Sequence, residues 1–281
     1  MLNNLLPFLV VAGYLISTLI IGRAIVAKNS HADSVEPHRT SLNSAFLVAV
    51  LAAAAHLFYA VKLSQLSVAL NFGLSSMVAL ISAILVLIYL LGCLSIPIKR
   101  LGILVFPLSA LSVLFSYLWS SDPQYLNSAG LANTSTAFIA HILVSILSYC
   151  LLAIAAIQSL LFIYQERQIK KRTNPAMLMA LPPLQTMEVL LFRLIGIGFV
   201  LLSLALISGV LFSQQIFGQA FAFKHHIILA SSGWLVFAAI LFRRYQNGLR
   251  GSQAGIWTIV GFALIQLGYF GTKIITESLA P

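Results

Sequence analysis

Apolar residues in this chain neither alternate nor keep to one helical face; they fill long runs from which charge is excluded. Crossing a hydrocarbon core of roughly 30 Å takes about 20 apolar residues in a helix, so these runs are the informative unit. They predict eight spans: Leu5 to Val26, Leu42 to Val61, Ser75 to Ile96, Leu101 to Trp119, Thr136 to Tyr164, Met187 to Phe212, His225 to Phe242 and Ile256 to Ile275. The connection around Pro97, Lys99 and Arg100 is so short that spans three and four must form an antiparallel hairpin. The expected fold is an all-α membrane protein of about eight transmembrane helices. Residues 1–281 form a single polytopic domain, with spans one to four in 1–135 and spans five to eight in 136–281. No basic stretch or small-x-small cleavage site precedes Arg23, so the first run is read as a retained span and not a signal peptide.

Composition agrees and narrows the function. The 281 residues are 60% hydrophobic and 8% charged, and their mean hydropathy is +1.00. Too few polar residues exist to cover one soluble core, which sets aside soluble enzymes and nucleic-acid partners. The formal charge of +10 would otherwise suggest nucleic acid, but its distribution points to topology. Arg23, Lys28, Arg39, Lys99, Arg100, Arg167, Lys170, Lys171, Arg172, Arg243, Arg244 and Arg250 all fall in connections on one side, 12 of the 16 Lys and Arg. Lys62, Lys224 and Lys273 fall on the other, and Arg193 lies within span six. The positive-inside rule then places both termini outside, and membrane lipid is the expected surrounding partner.

An ionisable group within a span costs roughly 2.5 to 3.5 kcal/mol on insertion scales unless it faces protein or water, so each needs a reason. His56 lies in span two, six residues before Lys62, hence about 9 Å below the outer interface if Lys62 reaches it. His141 lies near the outer start of span five, and His225 and His226 begin span seven. Four of the six histidines thus gather in the outer half of the membrane. Imidazoles at similar depth on different helices suit axial ligation of a b-type haem iron; they equally suit hydrogen bonds between helices. Adjacent residues point about 100° apart on a helix, so one of His225 and His226 faces any given site. Arg193, five residues from Glu188, is read as an inner-interface anchor, with an ion pair between them open. Phe212, Phe217, Phe221 and Phe223 make an outer loop apolar enough to lie on the membrane or roof a hydrophobic ligand.

Three blocks of residues carry a family resemblance: His141-Ile142 leading to Ser148-Tyr149; Leu181-Pro182-Pro183-Leu184 with Glu188, Phe192-Arg193, Ile197-Gly198-Phe199 and Ser208-Gly209; and Gly248-Leu249-Arg250-Gly251 followed by Tyr269-Phe270-Gly271. In this order the chain resembles the haem-handling cytochrome c assembly membrane proteins of the CcsA/CcmC type, and most closely their YpjD-like inner-membrane branch. The resemblance covers about half the chain. It implies haem b held in a periplasm-facing pocket of a bacterial inner-membrane protein. His141 falls on the family's first periplasmic histidine. The Trp-rich haem-presenting segment falls on residues 217–223, with Phe217, Phe221 and Phe223 at its Trp places. The family's other histidine positions fall on Phe242 and beyond Gly271, where no histidine stands, which leaves His56, His225 or His226 to face His141.

The leading expectation is therefore a haem-handling protein with His141 and His56 on the iron. Partners would be haem and other membrane proteins. A partner subunit without haem, or a small-solute transporter, would share the fold. Cys93 and Cys150 sit within apolar runs and make no CxxC or CxxCH, and no Ser/His/Asp set, HExxH, paired carboxylates or phosphate loop occurs. No catalytic role is expected.

Overall fold

A computed structural model describes residues 2–27, 36–64, 73–95, 98–119, 136–171, 182–211, 225–249 and 251–279. Without water to bond exposed amides, a segment in the bilayer core satisfies its backbone internally, and among the described residues every element is helical. In chain order these are α1 (Leu2–Ala27), α2 (Glu36–Ser64), α3 (Leu74–Ser95), a 3-10 turn (Lys99–Leu101), α4 (Gly102–Leu118), α5 (Thr136–Lys171), α6 (Leu184–Leu211), α7 (His225–Asn247) and α8 (Ser252–Gln266). A π-helical turn (Leu267–Gly271) then leads into α9 (Thr272–Leu279). Eight segments among the described residues are long and apolar enough to cross a membrane, matching the eight predicted runs. Two helices outlast their runs: α5 continues past Tyr164 through Arg167, Lys170 and Lys171, and α2 begins at Glu36, ahead of Leu42.

The chain divides into two compact units, Met1–Ser128 with Arg167–Pro183, and Ala129–Glu166 with Leu184–Pro281. In the first, α1 packs on α2 and α4, and α3 packs on α2 and α4, closing a ring of four helices. Small residues bring α1 onto α2: a Cβ added at Gly13 would lie 2.9 Å from Ala52 Cβ. Such close approach is what holds helices together where lipid is as apolar as leucine. An aromatic column crosses this unit, Tyr14 stacked on Phe106 at 5.7 Å and Phe106 edge-on to Tyr89 at 5.6 Å.

In the second unit the contacts set an antiparallel ring of α5, α6, α7 and α8. Ser148 Oγ donates to Gly198 O at 2.9 Å and Gln158 Nε2 to Met187 O at 3.1 Å, which registers α5 against α6. Trp234 Nε1 donates to Ser203 Oγ at 2.8 Å between α7 and α6. Tyr149 donates to Gln266 Oε1 between α5 and α8. Gly198 and Gly233 sit at the tightest crossings: an added Cβ would lie 2.7 Å from Leu152 Cδ2 and 2.7 Å from Ile265 Cγ1 respectively. Leu152, Leu191, Ile195, Phe237 and Ile265 fill the centre. Buried hydroxyls are satisfied locally, as in Ser159 to Ala155 O and Thr258 to Ala254 O, both at 2.8 Å.

Gly13→Leu is expected to destabilise the first unit by about 1 to 3 kcal/mol through overpacking. Gly22, on the same helix with nothing within 4 Å of an added Cβ, is expected to accept leucine without loss. Thermal unfolding of the two purified variants in one detergent checks the difference; equal losses would contradict it.

Candidate functional site

Two of the histidines singled out by sequence have described side chains, and they are bonded in opposite senses. His56 is fully buried in α2. Its Nδ1 lies 3.0 Å from the Tyr14 hydroxyl and its Nε2 3.2 Å from Ser82 Oγ. Ser82 Oγ also donates to Ala79 O at 3.1 Å. A hydroxyl has one proton, so Ser82 accepts from His56, and the network assigns a neutral ring with Nε2–H and Tyr14 donating to Nδ1. Both ring nitrogens are thereby engaged by α1 and α3, and an iron at either would have to displace one of these bonds. The imidazole ties three helices of the first unit together.

His141, in α5, is half-buried. Its Nδ1 lies 2.7 Å from Ser208 Oγ of α6, and Ser208 Oγ donates to Leu204 O at 2.6 Å. The same proton count makes Ser208 the acceptor and Nδ1–H the donor, which puts the lone pair on Nε2. Metal-bound imidazoles are held in this way, with the second nitrogen donating to an oxygen that fixes ring orientation and tautomer. Gly209 supplies room beside the ring, since a Cβ there would come 3.3 Å from His141 Cε1. A side chain at 209 would crowd the imidazole.

The second unit also carries packed aromatic pairs. Trp234 stacks on Phe199 at 5.3 Å, and Tyr149 packs against Phe262 at 5.2 Å and Phe270 at 5.9 Å. Phe270 belongs to the π-helical turn, an element often found at functional sites and invisible in hydropathy. His225 and His226 open α7, but their side chains, like the whole of residues 217–223 with Phe217, Phe221 and Phe223, lie outside the described residues. His56 and His141 belong to different compact units. Among the described residues no group of three or more His, Cys, Asp and Glu forms a metal site.

The opposite end of the second unit is held by charge. Glu188 pairs with Arg244 of α7 at 2.7 Å, and Arg193, the pairing left open by spacing, is exposed. The Arg244 guanidinium also donates to Leu249 O at 3.0 Å and lies 4.4 Å from the Phe192 ring centre. It thus secures the Gly248–Gly251 connection, whose two glycines take φ of +64° and +68° that other residues rarely adopt. Sequence reasoning missed Arg244, Ser208, Tyr14 and Ser82 as partners. Ser208-Gly209 was visible as a motif, whereas pairings 26 to 67 residues apart leave no periodic signal.

The comparisons with known proteins decide the family. A family model described as cytochrome C assembly protein matches residues 40–280. The chain belongs to the cytochrome c assembly protein family. Among curated relatives, "Inner membrane protein YpjD" of Escherichia coli strain K12 is 30% identical over 142 residues, 50% of this chain and 53% of that protein. "Cytochrome c biogenesis protein CcsA" of Chlamydomonas reinhardtii is 29% identical over 143 residues, 50% of this chain and 38% of that protein. "Protein HemX" of Brevibacillus brevis is 22% identical over 138 residues, 49% of this chain and 51% of that protein. The chain spans about half the length of the curated relatives it matches, or less. No solved structure matches it. Family and helices together make it a multi-pass inner-membrane protein.

His56→Ala removes the partner of both Tyr14 and Ser82 and is expected to destabilise the first unit by about 1 to 3 kcal/mol, with Tyr14→Phe in the same direction. Unfolding of the purified variants measures this; an unchanged midpoint in both would contradict the buried network.

Proposed function

We propose that this protein binds haem b and handles it for cytochrome c assembly, in a periplasm-facing pocket of its second unit, with both termini outside. The observation that carries the reading is the Ser208–His141 bond: it fixes the imidazole through Nδ1 in the way metal-bound imidazoles are held, beside Gly209. Family membership supplies the ligand class. Haem, when bound, supplies an iron that takes neutral imidazole as an axial ligand. This chain's residues orient that imidazole through Ser208, line its unit with Trp234, Phe199 and Tyr149, and in this reading roof the pocket with Phe217, Phe221 and Phe223. His225 or His226 would supply the second imidazole. His56 serves the first unit as a helix tie, with both nitrogens already spent.

A haem-free partner subunit of the same fold is the second reading, favoured by Phe242, which stands where the family places a histidine.

Oxidised and reduced absorbance spectra of detergent-purified protein from haem-replete cells test the proposal. A b-type spectrum is expected in wild type and lost in His141→Ala. Ser208→Ala, which removes the acceptor of Nδ1–H, is expected to weaken haem retention by about 10- to 100-fold. His56→Ala is expected to lower stability while the folded fraction keeps its haem. A wild-type protein without haem, or a spectrum indifferent to His141→Ala, would overturn the reading in favour of the partner subunit.

A further inference from the structure

Arg193 stands on the outside of the second unit, in a helix face that otherwise meets lipid. Along α6 the steps Val189, Arg193, Ile197, Val200 and Leu204 share one face, and its four apolar members are 42% to 58% exposed. Arg193 is exposed with them, and among the described residues it makes no hydrogen bond, ion pair or ring contact. An arginine facing hydrocarbon is costly unless its head reaches water or an anion. Its own unit has no acid to give it. The sequence of that unit holds Glu166, Glu188 and Glu277. Glu188 is paired with Arg244. Glu166 lies against Gly251, where an added Cβ would come 3.5 Å from its Oε2. Glu277 belongs to α9, beyond the far end of α8.

Arg193 is five residues past Glu188, so it sits about 7.5 Å deeper along α6 than the Glu188–Arg244 pair at the charged end. The Cα–Cβ bonds of a helix tilt toward its N-terminus, which for α6 is that same end, so the reach of the side chain is toward the membrane surface. Gly196, one turn further on, notches the face, with nothing within 4 Å of an added Cβ. A cation below the surface beside a notch in an apolar stripe matches a molecule with a phosphate head and an acyl tail. A second copy related by a two-fold axis would bring another Arg193 to this face, and like charges repel. We infer that Arg193 binds the phosphate of a phospholipid in the leaflet at the charged end, its guanidinium forking onto two phosphate oxygens, while an acyl chain lies in the notch at Gly196 against Ile197 and Val200. General attraction of a membrane surface for basic residues accounts for an exposed cation at the helix end such as Arg243; it does not account for an arginine set within an apolar face.

The test is a titration of phosphatidylglycerol into the full-length protein purified in an uncharged maltoside detergent, read as the rise in thermal unfolding midpoint. Wild type is expected to show a saturable rise. Arg193→Leu is expected to weaken the apparent affinity about tenfold, the worth of a hydrogen bond to a charged group. Arg193→Lys, which keeps the charge without the fork, is expected to weaken it by less. Before lipid is added, Arg193→Leu is expected to unfold no earlier than wild type, because it removes a charge from an apolar face. An earlier midpoint would overturn the inference, since protein and not lipid would then hold the arginine. Gly196→Leu fills the notch and is expected to lower the affinity; an undiminished affinity would overturn the seat of the acyl chain. Arg243→Gln is expected to change nothing, and a loss there equal to that in Arg193→Leu would overturn the site in favour of charge alone. Inorganic phosphate reproducing the rise would overturn the lipid as its source. No saturable rise in wild type would overturn the inference outright and leave Arg193 to a carboxylate on a partner's helix.

Discussion

Water is absent from the interior of a bilayer, so a polar side chain there is held by another side chain or by a carbonyl of its own helix. That constraint fixes most of what is distinctive in this protein. Serine hydroxyls spend their single proton on the carbonyl three or four residues back, as Ser82 does on Ala79 and Ser208 on Leu204. Each is left with lone pairs, and each then becomes an acceptor for an imidazole from another helix. The histidines are therefore donors toward serine in both units, and what differs is which nitrogen donates.

That difference distinguishes the two imidazoles. In His56 the Nε2–H goes to Ser82 and Nδ1 receives Tyr14, so the ring has nothing left to offer. In His141 the Nδ1–H goes to Ser208, next to a glycine. Two histidines of equal standing by sequence thus take different work from their neighbours. The same logic runs at the charged end of the second unit, where Glu188 and Leu249 O together fix Arg244, and the arginine fixes a connection built on two left-handed glycines.

Much of the fold was legible in the sequence because hydrophobic run length is a local property, and eight runs became eight membrane-length helices. Helix ends were less so. Lys170 and Lys171 are good helix formers that extend α5 beyond its apolar run, and hydropathy ends at Tyr164. The π-helical turn at Leu267–Gly271 was hidden because its residues are as apolar as their neighbours. At the candidate site, His141 could be named from sequence, while Ser208 as its orienting partner could not, since that contact depends on how α5 and α6 are registered by Ser148 and Gly198. Glu188 found Arg244 and not Arg193 for the same reason: five residues along one helix separates two faces, whereas the neighbouring helix brings a guanidinium within 2.7 Å.

The two imidazoles are assigned opposite tautomers, and this is measured most directly by the pair of ring-nitrogen shifts in 15N-histidine-labelled, haem-free protein, assigned with His56 and His141 variants. A protonated Nδ1 and an unprotonated Nε2 are expected in His141, and the reverse in His56. A protonated Nε2 in His141 would contradict the assignment, because the nitrogen proposed to meet iron would then have no lone pair to give.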